Sequence, residues 1–575
     1  MCTYEKFPTV PVPYSMLAGY GAIAGELARA LAGKQRALLV VDGYPGTRFD
    51  EIVAGLMEEL FFARVLDAHE ANHSDEEIEA MLARNITDDR VFGVLSCHNL
   101  IEFFDEKKIA VLRRRAQEAE GITLLYGVGA SLIAKGDVLV YADLARWEIQ
   151  LRYRSGEIGN YCAHNEGEET LRKVKRGYFI DWRVSDRHKR AVMPEVDYLL
   201  ETNKRDKPVM MRGEDFRAAL ALVAQRPFRV APYFDPGVWG GQWMKKVCGL
   251  DPAKKNYAWS FDGVPEENSL LLQSGSTVME VPAQDLVLFA PRALLGDRVH
   301  ARFGLDFPIR FDFLDTVDGQ NLSLQVHPLT EYIQQTFGMH YTQDESYYIL
   351  DVKPGADTAV YLGVKNGVDP QEMLGALERA QETGEFDAER YVNRIPAHKH
   401  DHFLIPAGTV HCSGRDTMVL EISATPYIFT FKLWDWNRVG LDGKPRPIHL
   451  EHGRKNIQFD RDTDFVLREL VGQVQEVARG DGWVEERTGL HEREFLETRR
   501  HWFTRPDLHN TNGGVNMLNL VEGSEAVVES PNGAFEPFRV HYAETFIVPA
   551  AVGEYVIRPA VPGERCATMK AYVRG

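Results

Sequence analysis

In the stretch NLSLQVHP, Gln325 and His327 stand two apart on an apparent β-strand, so both side chains point to one face and can reach one ion. Glu345 opens the next β-type run, in DESYYIL, and His411 follows a Pro/Gly turn in IPAGTVHCSG. Imidazole nitrogens, a carboxylate and an amide oxygen suit zinc or a similar divalent ion, and they leave a position open for water or substrate. Each residue alone also has a plain structural reading. A strand histidine is more often a hydrogen-bonded side chain than a ligand, glutamine is a poor ligand by itself, and spacing leaves the metal and structural readings level.

A second set of candidates lies near the start of the chain. The apolar run ALLVVD leads into GYPGTRFDE, a glycine turn ahead of a helical pattern, and such a turn can hold an anion at the helix N-terminus. Gly43, Gly46, Thr47 and Arg48 are its candidate phosphate-binding residues. The Gly-Lys-Ser/Thr ending of a P-loop is missing, because Gly46 and Thr47 are followed by Arg48. Downstream, DWRVSDRHKR gathers Arg183, Arg187, His188, Lys189 and Arg190, which can surround an anion. Three histidines in AHKHDH, at 398, 400 and 402, alternate in a way that can hold a metal but fits a surface strand better, and Cys412 reads as an inert neighbour of His411.

These residues need elements to position them. Helical patterns such as IAGELARALAG alternate with the apolar runs ALLVVD, RVFGVLS, GITLLYG and GDVLVYAD, which predicts an α/β domain with a mostly parallel sheet over residues 1–225. From about 226 the texture changes to short β runs separated by Pro, Gly and Asp turns: SLLLQSG, DLVLFAP, SYYILDV, TAVYLGV, HFLIPAG and TMVLEIS. That rhythm predicts an all-β jelly-roll domain over 226–485, interrupted by the helical segment DPQEMLGALERAQETGEF, and a second β barrel over 486–575.

Composition narrows the partners. A net charge of -18, from 66 basic and 84 acidic residues, disfavours nucleic acid and acidic membrane surfaces while allowing a local pocket for a small anion. Six cysteines, at 2, 97, 162, 248, 412 and 566, form neither a CxxC pair nor a disulfide scaffold. With no basic start leading into an apolar core and no long apolar window, the expected location is the cytoplasm.

The strings LSLQVHP, ESYYIL, IPAGTVHCSG, EIS and LWDWNRVGLDGKPRPIHLE, in that order and preceded by VWGGQWM and FPIRFDFLDT, resemble class I mannose-6-phosphate isomerases over roughly residues 226–575. The resemblance implies a double cupin fold and one zinc ion per chain, or another divalent ion, held by Gln325, His327, Glu345 and His411. It implies conversion of mannose 6-phosphate to fructose 6-phosphate through an enediol, with Glu421, Lys432 and Arg438 as the catalytic candidates. The expected partner is a small sugar or sugar phosphate. Where the family carries lysines, this chain has Asp312 and the run Thr342, Gln343 and Asp344, and the family's Tyr-Arg pair is Phe431 and Lys432 here. Those departures keep two alternatives open: an isomerase or epimerase of another sugar, phosphorylated or not, and a non-catalytic metal-bound sugar sensor. The N-terminal domain resembles uridine-kinase-like P-loop proteins in a degenerate form, which implies a nucleotide ligand without hydrolysis.

Overall fold

The structure is a computed structural model that describes residues 3–118, 120–424, 428–441, 443–444, 446–489, 491 and 493–575. The chain divides into two compact units. One comprises Thr9–Val223 and Ser269–Ala290, and the other Met1–Pro8, Ala224–Asn268 and Pro291–Gly575.

The first unit is built on a seven-stranded sheet. Its central strand, Arg36–Gly43, is buried at every position after the first, as a strand covered on both faces must be. Parallel neighbours flank it on both sides: Gly121–Tyr126 and then Arg64–Asp67 on one, Val138–Asp143 and then Tyr198–Glu201 on the other. Val209–Arg212 and Met16–Ala18 add antiparallel strands at one edge. The predicted parallel character therefore holds, with an antiparallel margin. RVFGVLS is a correction, since residues 91–97 form no strand. Val94 and Ser96 donate their amides to the carbonyls of Asn85 and Phe179 instead, and a side chain at Gly93 would meet Asn85 O at 2.7 Å.

A second difference concerns the boundary expected at residue 225. SLLLQSG is a strand, Ser269–Ser274, but it pairs parallel with Thr9–Pro11 and antiparallel with Thr277–Pro282 inside the first unit. DLVLFAP, expected as a strand, is the helix Gln284–Phe289. A short apolar run has no periodicity to separate a buried strand from a buried helix. The segment is tied in chemically as well: Asn203 Nδ2 donates to Glu280 O at 2.9 Å, and the buried Lys189 ammonium sits between Asp143 and Asp285.

The second unit contains two pairs of sheets. In the first pair, a six-stranded sheet runs His402–Ile405, Glu345–Val352, Thr417–Ala424, Ile309–Asp315, Trp259–Gly263 and Tyr233–Asp235. A five-stranded sheet runs Val392–Pro396, Ala359–Val364, His411–Ser413, Leu324–Val326 and Phe431–Trp434. The helical interruption is present as Pro370–Thr383, started by Asp369, whose side chain accepts from the amides of Gln371 and Glu372, and stopped by Gly384 at φ 73°.

The second pair begins at Gln475, with a hairpin to Trp483–Gly489 that joins a six-stranded sheet. Opposite lies the four-stranded sheet Asp507–Asn510, Glu554–Pro559, Glu525–Glu529 and Phe538–His541. Phe503, Leu518, Leu520 and Phe546 from one sheet meet Val528, Val540, Tyr555 and Ile557 from the other in a continuous apolar core.

Candidate metal centre

Strand register brings the four predicted ligands to one place. Gln325 pairs with His411 across neighbouring strands of the five-stranded sheet, so their side chains share a face, and His327 follows on the same alternation. Glu345 begins its strand in the facing sheet. All four are buried, at 7%, 1%, 1% and 0% exposure for Gln325, His327, Glu345 and His411.

The geometry fixes which ring nitrogens face inward. His327 Nδ1 donates to Phe429 O at 3.0 Å and His411 Nδ1 to Thr409 O at 2.9 Å, which leaves each Nε2 as a lone pair. His327 Nε2 lies 2.5 Å from Glu345 Oε2, and His411 Nε2 lies 3.7 Å from Glu345 Oε1 and 3.2 Å from the Gln325 amide. Glu345 Oε1 is buried without a hydrogen-bond partner. Turning the Gln325 amide by half a rotation presents its oxygen at the same point. Four electron-rich atoms thus converge on one spot. Burial pushes both imidazoles down to about 4, which opposes an imidazolium as the counter-charge, and it pushes Glu345 up. A divalent cation satisfies this donor set, and the nitrogen and oxygen ligands fit zinc.

A carboxylate pair and a guanidinium lie beside the cluster. Glu421 is the cross-strand neighbour of both Tyr347 and Asp312, and Ser423 of Glu345 and Arg310, so these side chains share the inner face of the six-stranded sheet. Glu421 Oε1 accepts from Arg310 Nη2 at 2.9 Å and from Ser423 Oγ at 2.9 Å, and Arg310 also pairs with Asp312. Burial first, and the nearby Glu345 charge second, push the Glu421 carboxyl up to about 7. Lys432 is opposite Gln325 in the register and half-buried, which puts it on the ligand face. Arg438 is differently placed. Its Nη1 donates to Asn321 O at 2.7 Å, its Nε to Asp435 O at 3.1 Å and its Nη2 to the Asp435 carboxylate, so its guanidinium braces a turn.

Sequence reasoning missed Arg310. The signal was present in FPIRFDFLD, where alternation puts Arg310 and Asp312 on one face of the strand. The AHKHDH histidines do not converge: His398 meets Asp401, His400 meets Tyr348 and Glu522, and His402 is buried in its strand. Cys412 is buried, and burial raises its thiol.

The candidate phosphate residues lie at the carboxyl end of the central strand of the first unit, where Gly46 takes φ 100°. Arg48 is held there by Glu157, Nη2 to Oε2 at 3.1 Å, with Glu148 at 3.5 Å. The following helix, Phe49–Met57, carries Asp50 and Glu51 in its first turn, which opposes an anion at its N-terminus. A cavity of about 450 Å³ beside the turn is lined by Gly46, Thr47, His69, His73, Asp75 and Glu157 among others, and by no lysine or arginine among the described residues. In DWRVSDRHKR, His188 pairs with Asp42, Lys189 with Asp143 and Asp285, and Arg187 with the carbonyls of Ser96 and His98. Carboxylates and carbonyls take the place expected for an external anion.

Among the described residues no helix is long and apolar enough to cross a membrane. The family model of a domain of unknown function, DUF8485, matches residues 19–225. Mannose-6-phosphate isomerase ManA of Bacillus subtilis (strain 168) is 28% identical over 233 residues, 40% of this chain and 67% of that protein. A mannose-6-phosphate isomerase of Streptococcus mutans is 26% identical over 216 residues, 37% of this chain and 62% of that protein. The matches thus span about two thirds of the length of these relatives. Among solved structures, the mannose 6-phosphate isomerase of Bacillus subtilis covers 61% of this chain and all of its own at 16% identity and a TM-score of 0.49. A putative mannosephosphate isomerase of Archaeoglobus fulgidus covers 61% of this chain and 98% of its own at 18% identity and a TM-score of 0.46. The chain is homologous to mannose-6-phosphate isomerases over about 40% of its length, and a domain of unknown function accounts for residues 19–225.

Proposed function

We propose that this protein is a metal-dependent aldose-ketose isomerase acting on mannose 6-phosphate to give fructose 6-phosphate. The observation that carries the reading is the convergence on the buried Glu345 carboxylate of two imidazole Nε2 atoms whose Nδ1 atoms are bonded to backbone carbonyls, His327 Nε2 at 2.5 Å from Oε2 and His411 Nε2 at 3.7 Å from Oε1. Homology to mannose-6-phosphate isomerases supports a sugar-phosphate substrate. Gln325, His327, Glu345 and His411 would hold one divalent ion, with zinc the best match to the donors, and that ion supplies a Lewis acid for a substrate oxygen.

The remaining chemistry falls to the chain. Isomerisation moves a proton from C2 to C1 of the sugar while the carbonyl moves the other way. A carboxyl group pushed up to about 7 can take that proton and return it, and Glu421 has this property beside the ligand set. Arg310 and Ser423 hold its Oε1 in place. Lys432, on the ligand face, supplies a positive charge for the oxygen on which negative charge develops. The first unit is read as a degenerate, non-hydrolysing relative of nucleoside kinases. Arg48 held by Glu157 supports the loss of phosphate binding in it.

The second reading, an unphosphorylated sugar, has an observation in its favour. Asp312 and Gln343 stand where the resemblance expects lysine, and the nearby Arg310 charge is already shared by Asp312 and Glu421. Proton NMR of the zinc-loaded protein separates the two: ketose from mannose 6-phosphate supports the first reading, ketose from mannose alone the second, and binding without turnover a sensor.

A further inference from the structure

The second pair of sheets contains another convergence of metal-type donors. His501 lies on Leu496–Phe503 in the six-stranded sheet, while Asp507 and His509 lie two apart on Asp507–Asn510 in the facing four-stranded sheet. Alternation gives Asp507 and His509 a common face, and that face meets His501, because the two imidazole centroids are 4.5 Å apart. The side chains of His501 and His509 are 2% and 4% exposed and that of Asp507 15%.

Hydrogen bonding does not account for this arrangement. His501 Nε2 lies 2.9 Å from Asp507 Oδ2 but out of line for a hydrogen bond, and His509 Nε2 lies 3.9 Å from the same oxygen. Neither ring nitrogen of His501, nor Nε2 of His509, has a hydrogen-bond partner. Three buried imidazole nitrogens without partners, gathered at one point, are costly to leave unpaired. One ligand atom from each residue lies within 4.8 Å of the others. Donors ~2.1 Å from one ion sit ~3.0–3.4 Å from each other in octahedral or tetrahedral coordination, so the 2.9 and 3.9 Å separations need only small adjustments.

The surroundings fit a held ion. Trp483, 5.6 Å away, and Phe503, stacked at 5.4 Å, enclose His501, and Tyr555 stacks on His509 at 5.3 Å, so the site is walled by aromatic rings. The nearby cations are already matched: Glu485 holds Lys570 at 3.2 Å and Arg499 at 3.1 Å.

The geometry points to a second metal site, formed by His501, Asp507 and His509, that binds a divalent transition-metal ion and cross-links the two sheets of the C-terminal sandwich. Two nitrogens and one carboxylate select zinc, cobalt, nickel or iron(II) over magnesium and calcium, which prefer all-oxygen shells. Three protein ligands leave coordination positions for water.

The test is metal analysis of the full-length protein reconstituted with zinc and freed of loose ion, with cobalt(II) absorption as a second readout. The wild type is expected to hold two equivalents. His327→Ala/His411→Ala is expected to hold one, which Asp507→Asn added to that background removes, and circular dichroism confirms that each variant is folded. His501→Gln serves if Asp507→Asn does not fold. Chelation should lower the melting temperature of His327→Ala/His411→Ala but not that of its Asp507→Asn derivative. A folded His327→Ala/His411→Ala protein without metal, or one whose remaining equivalent survives both Asp507→Asn and His501→Gln, would overturn the assignment.

Discussion

Arg310 holds the chemistry of the first site together. It is the buried cation shared by Asp312 and Glu421, and burial pushes both carboxyls up despite its presence. Arg310→Met leaves two carboxyl groups facing each other in the interior, and losing one partner of a buried charge network costs about 3–5 kcal/mol. Guanidinium unfolding of the second unit should show that loss. Glu421→Gln keeps the shape and removes the proposed proton acceptor, so bound metal should be unchanged while kcat falls by ~10²–10⁴; metal analysis and the NMR assay read the two quantities separately. The two-residue spacing put Gln325 and His327 on one strand face in the sequence, and only the resemblance to mannose-6-phosphate isomerases singled them out as ligands. The tautomers were not legible there, because Phe429 and Thr409 fix them through backbone carbonyls, and any residue can supply a carbonyl. Arg438, a candidate for holding an anionic group, has its guanidinium bound to Asp435, three residues earlier, a pairing that the sequence spacing alone does not specify.

At the scale of elements, position depends on register and on turns. His411 enters its strand through the IPAG turn, where Gly408 has φ 88° and its amide donates to His327 O at 2.9 Å. A side chain there would meet Gln458 Cγ at 2.7 Å and Asn456 O at 2.9 Å. Gly408→Ala combines that contact with a left-handed backbone, so it should cost about 1–3 kcal/mol and weaken zinc binding through the displaced turn, which thermal melting and a zinc titration would report. The strands around the site were readable because β runs with Pro and Gly boundaries keep their period. DLVLFAP was not, since seven mostly apolar residues fit a buried helix as well as a buried strand and tertiary packing decided between them. RVFGVLS failed because Gly93 lies close against Asn85 and Phe179, a packing constraint that local sequence does not contain.

At the scale of the molecule, the chain returns to its first unit after leaving it. Residues 269–290 belong to that unit although 45 residues of the other, Ala224–Asn268, precede them. Lys189 between Asp143 and Asp285 helps hold the returning segment. Lys189→Met leaves two buried carboxyl groups without a cation and should destabilise the first unit by about 3–5 kcal/mol, read by hydrogen exchange along Gln284–Phe289. A change in texture near residue 225 was visible in the sequence. The return was not, because the strand Ser269–Ser274 pairs with Thr9–Pro11, Thr9 opposite Leu271, and nothing in either segment names its partner.

The proposed activity places a metal centre for sugar isomerisation at Gln325, His327, Glu345 and His411. The measurement that tests it most directly is proton NMR of mannose 6-phosphate in deuterated water with metal-stripped protein, before and after zinc is restored. No ketose is expected before zinc, then fructose 6-phosphate at a turnover of order 1 s⁻¹ or faster, with restoration absent in His327→Ala. Equal ketose formation with and without metal, or full restoration in His327→Ala, would contradict the metal centre.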